Sequence, residues 1–140
     1  MKSLVFTISL VIACAFNGYS QKMAAQLQSK TWHATGAVGN NSSIILKTTE
    51  PAAKTPGQWQ AKFSSTGRMS SCAVTNKDVV DMGGDVVKAG TFWCDSMHVY
   101  SVKNDMISIM EYDKMFYYKI KALPNSEGIE LAPVTKDESK

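Results

Sequence analysis

Arginine is nearly absent from this chain: Arg68 is the only one among fifteen basic residues. The lysines are scattered among acidic neighbours and the formal net charge is only +3. Nothing here forms the arginine-rich stripe that phosphate backbones favour, so nucleic acid is excluded as an expected partner. Histidine is equally scarce. His33 and His98 stand alone with no H-x-x-x-H spacing, and the three cysteines form no C-x-x-C, which leaves no recognisable metal set. Ser70 and Ser71 lack the flanking glycines of a nucleophile elbow. No second long apolar run follows the first twenty residues, so no transmembrane helix is expected beyond them. We expect no enzyme and no cofactor.

Those first twenty residues carry an address. Met1-Lys2-Ser3 is a short basic start, and Leu4 to Ala15 is an apolar run shorter than the about 20 residues that span a bilayer as a helix. Gly18-Tyr19-Ser20 places small residues at the positions a signal peptidase reads, which makes residues 1–20 a secretory signal and Gln21 the expected mature start. A second route is open at Val11-Ile12-Ala13-Cys14, which resembles a bacterial lipobox and would leave an acylated Cys14 as a lipid anchor at the envelope. Ala15 and Phe16 prolong the apolar run past that cysteine, which favours the cut after Ser20. The expected localisation is periplasmic or secreted.

After a cut at Ser20, Cys72 and Cys94 are the remaining cysteines. An even pair in an oxidising compartment is more often a disulfide than a reactive thiol. Both lie in segments that read as strands, and neighbouring strands bring Cα atoms within bridging reach.

The dominant periodicity is two. Met106 to Met110 and Met115 to Leu123 are rich in aromatic and β-branched residues and are separated by a turn at Glu111 to Lys114. Phe116, Tyr118, Ile120 and Ala122 fall on one face, with Met115, Tyr117, Lys119 and Lys121 on the other. Burying Lys119 and Lys121 is strongly disfavoured, so the first set faces the interior. Pro124 to Gly128 is a turn, and Ile129-Glu130-Leu131 a closing strand. Upstream, strands are expected at Trp32 to Val38, Ser43 to Thr48, Gln58 to Phe63, Arg68 to Val74, Thr91 to Cys94 and Met97 to Val102. A loop is expected over Glu50 to Gly57, and a tight hairpin or distorted strand around Gly83-Gly84. Strands at spacings near ten residues argue an all-β antiparallel barrel or sandwich. The expected division is a signal at 1–20, a flexible segment at 21–30, the β-domain at 31–134 and a polar tail at 135–140.

Several of these segments together resemble the small bacterial lipocalin-like (calycin-type) domains. They are Trp32 opening the first strand, Phe63-Ser64-Ser65-Thr66-Gly67-Arg68-Met69, Gly90-Thr91-Phe92-Trp93, and Tyr118-Lys119-Ile120-x-x-Leu123 running through Gly128-Ile129-Glu130-Leu131. The usual Gly-x-Trp start is here Lys30-Thr31-Trp32. The resemblance implies an up-and-down β-barrel of about eight strands whose interior holds one small apolar molecule or lipid. The residues expected to line it are Trp32, Trp59, Phe63, Phe116, Tyr118 and Ile120. Close packing of an ordinary core is the simpler account of the same side chains.

Other motifs are weaker. Asp81-Met82-Gly83-Gly84-Asp85 lacks the alternating oxygen ligands of a calcium loop and reads as a solvated turn. Asn41-Ser42-Ser43 reads as a polar turn, and Glu111 and Asp113 as solvated charge. Two functions are carried forward: binding of a small apolar molecule or lipid, and a protein-interaction surface such as that of an inhibitor or an envelope assembly factor.

Overall fold

A computed structural model describes residues 18–51, 58–81 and 83–135. Residues 1–17 of the expected signal, with Cys14 of the lipobox-like sequence, lie outside the described residues, as do most of the expected 50–57 loop and the tail from 136.

Ten strands follow in chain order: β1 (Thr31–Thr35), β2 (Ile44–Lys47), β3 (Gln58–Phe63), β4 (Arg68–Val74), β5 (Val79–Val80), β6 (Val86–Val87), β7 (Phe92–Lys103), β8 (Met106–Glu111), β9 (Lys114–Ala122) and β10 (Gly128–Pro133). Eight of them close an antiparallel barrel in the order β1-β2-β10-β9-β8-β7-β4-β3. From β3 to β10 the barrel strands follow one another as a meander. At the seam β1 stands between β2 and β3, pairing His33 with Lys47 on one side and with Gln60 on the other. β2 pairs with β10 and completes the closure. Closure leaves no unpaired edge in the barrel. β5 and β6 form a separate two-stranded hairpin, projecting where β4 gives way to β7.

The alternation sorts most side chains as expected, but Ala122, expected on the inner face, is exposed at the end of β9. Ile44 and Leu46, Ala61 and Phe63, Ile107 and Ile109, Tyr118 and Ile120, and Ile129 and Leu131 are all buried in one core. Lys119 and Lys121, between the inward residues of β9, are exposed. β7 is a single strand where the sequence suggests two. Its irregularity lies at the expected break: Ser71 pairs with Asp95 but Met69 with His98, so β7 carries one extra residue there. That bulge resets the alternation and turns His98 inward with Tyr100.

The N-terminal segment differs from expectation. Residues 18–28 are helical, where a flexible segment is expected over 21–30. Leu27 is fully buried against the barrel core. The Trp32 indole N–H donates to the Leu27 carbonyl at 2.9 Å, and Gln28 Nε2 donates to the Tyr100 hydroxyl at 2.9 Å. The Tyr100 hydroxyl in turn donates to the Ser64 carbonyl, and its ring meets Phe63 edge-on with centroids 5.0 Å apart. The helix thus closes one end of the barrel. No helix among the described residues is long and apolar enough to cross a membrane.

Cys72 and Cys94 form a disulfide between directly opposed residues of β4 and β7, with Cα atoms 3.9 Å apart. Their side chains share the outer face with Gln60. The bridge staples the base of the β5–β6 excursion.

Candidate ligand-binding site at the barrel mouth

The opposite end of the barrel is open, and its geometry begins with the β1–β2 connection. Gly36 leaves β1 with φ +97°, and a Cβ there would lie 2.5 Å from the Ser43 carbonyl, so only glycine makes this turn without strain. The chain then folds inward over β9. The Gly39 N–H donates to the Tyr118 hydroxyl at 3.0 Å, and Gly39 packs so closely on Phe116 that a Cβ would approach its ring within 2.9 Å. The Trp59 indole N–H donates to the Gly36 carbonyl at 2.7 Å. Loop and indole therefore hold each other at the rim.

Beside them lies a cavity of about 770 Å³, within the roughly 300 to 1,000 Å³ common for small-molecule sites. Its inward wall is Ala34, Trp59, Ser71, Ala73, His98 and Glu111, capped by Val38 and Val74. It reaches over the rim to His33, Thr35, Gln58 and Gln60 on the outer face of β1 and β3, near Glu50 and Pro51. A second cavity of about 460 Å³ adjoins it, lined by Val38 to Asn40, Glu111 to Lys114 and Phe116. Glu111 borders both.

The wall is mostly apolar, with one polar pair, the buried His98 and the partly exposed Glu111. His98, 5 % exposed, donates from Nε2 to Glu111 Oε1 in a long hydrogen bond of 3.3 Å. Its Nδ1 is buried without a hydrogen-bond partner among the described residues, a feature that costs roughly 1–3 kcal/mol in a native interior and is uncommon. Nearby, burial pushes the Tyr118 phenol above its ordinary value of 10.0; the Gly39 N–H acts against that shift and the Glu111 charge adds to it.

The six residues expected to line a ligand divide by height in the barrel. Trp32, Phe63, Tyr118 and Ile120 lie together in the packed core, and none of them borders a cavity described here. Trp59 and Phe116 pack on the edge of that core; Trp59 lines the larger cavity and Phe116 the smaller. Sequence reading missed His98 as a mouth residue and placed Glu111 in a solvated turn. The two-residue turn Asn104-Asp105 was the available signal, because a hairpin centred there sets Val99 against Met110 and His98 against Glu111. The Asp81 carboxylate, weighed above as a calcium ligand, accepts the backbone N–H groups of Gly83 and Asp85 at 2.9 Å each, as a turn does.

No protein-family model matches the chain, and no curated protein and no solved structure matches it. The architecture alone defines the class: a closed antiparallel eight-stranded β-barrel with one end covered by a helix.

Proposed function

We propose that this chain is an exported, lipocalin-like, non-enzymatic protein that binds a small, largely apolar molecule at the barrel mouth. The observation that carries the reading is the cavity of about 770 Å³ framed by Trp59, Val38 and Ala73 around the His98–Glu111 pair. Sites for small molecules combine a predominantly apolar wall with a few fixed polar groups. The lower barrel is filled by its own side chains, so the ligand sits at the rim and not deep among Trp32, Phe63 and Ile120. Export is supported by the signal-like residues 1–20 and by the Cys72–Cys94 disulfide, a bond characteristic of oxidising compartments.

A second reading, an interaction surface, has its own support. Val80 and Val86 on the projecting hairpin are 65 % and 55 % exposed, and Val74 and Trp93 at its base are also exposed. Native mass spectrometry of protein isolated from its own cells separates the two. A small-molecule adduct lost on denaturation supports the first; a clean mass with a captured protein supports the second. The same spectrum reads the N-terminus, distinguishing a start at Gln21 from an acylated Cys14.

A further inference from the structure

We propose that the mouth cavity selects organic cations, taking an amine with an apolar, ring-sized body and setting its charge against Glu111. This deepens the binding reading above and rests on it. The chain as a whole is positive, at +3. The charged side chains among the described residues lining the larger cavity are nevertheless Glu50 and Glu111, with no lysine or arginine among them. Lys114 belongs to the adjoining smaller cavity, where it is accompanied by Asp113 and Glu111.

Glu111 is no ordinary surface carboxylate. Its side chain is 31 % exposed and one oxygen is held by His98. A partly withdrawn carboxylate gains from an added cation and is penalised by an added anion. Because a carboxylate oxygen accepts, the His98 hydrogen bond to Glu111 places a proton on Nε2. The Glu111 carboxylate, which only accepts, therefore favours a donor in the cavity. Trp59 completes the site. Its N–H is committed to Gly36, which fixes the indole at the cavity, where its ring provides the surface that attracts organic cations. A fatty-acid carboxylate finds no lysine or arginine among the described residues lining this cavity.

Isothermal titration of the purified protein with tryptamine, 3-methylindole and indole-3-acetate tests this, since the three share one apolar body and differ in charge. The expected result is tryptamine binding at least about tenfold more tightly than indole-3-acetate, with 3-methylindole between them. Glu111→Gln should bring the amine and the acid within about threefold of each other. A far-UV circular dichroism spectrum matching that of the wild-type chain shows that the variant is folded. Indole-3-acetate binding as tightly as tryptamine, or a preference that survives Glu111→Gln, overturns the charge selection and leaves the binding reading standing. Failure of all three probes to bind overturns the binding reading and the selection with it.

Discussion

The indole nitrogen of Trp32 donates a hydrogen bond to the main-chain carbonyl of Leu27, 2.9 Å away, tying the N-terminal helix to the first barrel strand. Leu27 is fully buried and Trp32 nearly so, which makes the helix part of the core and not an appendage. Leu27→Ala should therefore cost about 2–5 kcal/mol, the range for emptying a buried leucine site. Trp32→Phe should cost at least about 1–3 kcal/mol by leaving the Leu27 carbonyl unpaired. Urea unfolding measures both. A Leu27→Ala loss under about 0.5 kcal/mol, as for a surface site, would show that the helix does not close the barrel.

The facing of β9 gives a paired prediction. Ile120 is buried opposite Leu131, while its neighbour Lys121 is exposed. Ile120→Ala should cost about 2–5 kcal/mol and Lys121→Ala under about 0.5 kcal/mol. Equal losses in denaturant titrations would contradict the observed register.

That register was legible because burial on one side of a strand writes a period of two into the sequence, and β9 shows it from Phe116 to Lys121. Three features were not legible. The exchange of β1 and β2 at the seam leaves no trace in alternation, which reports the face of a strand but not its neighbour. The helix at 18–28 was obscured because its residues follow closely on the apolar run Leu4 to Ala15, so Leu27 carried no visible periodicity of its own. The site was only half legible. Alternation identified Phe116 as inward-facing, as it did Tyr118 and Ile120, but height along the barrel decides which of them borders a cavity and which are packed. His98 was hidden by the bulge after Asp95, which shifts the parity of everything that follows in β7.

The disulfide makes a chemical prediction. Intact mass after denaturing alkylation should show no labelled thiol at Cys72 or Cys94 until reductant is added. Because the bridge closes a segment of sequence separation 22, reduction should lower stability by about 3 kcal/mol in the chain-entropy account. Two labelled thiols without reduction would remove the bridge from the protein.

Tyr118 predicts a pH dependence. Burial raises its phenol above 10.0, with the Gly39 N–H opposing. A phenol harder to ionise when folded contributes stability that is complete below about pH 10. That contribution is lost as pH rises from there through the raised folded value, because the unfolded chain releases the proton more readily. Tyr118→Phe removes this component, so its unfolding midpoint should fall less steeply above about pH 10 than that of the wild-type chain. Below that pH, loss of the hydrogen bond from Gly39 should cost about 0.5–1.5 kcal/mol. Parallel alkaline slopes for the two proteins would show that Tyr118 is not protected.

The central claim is that the open end of the barrel is a ligand site. The most direct measurement is a crystal structure of protein isolated from its own cells with no ligand added. The account predicts density for a small organic molecule in the cavity of about 770 Å³, against the Trp59 ring and within hydrogen-bonding distance of Glu111. A mouth holding only water, with any co-purified molecule bound elsewhere, would contradict it.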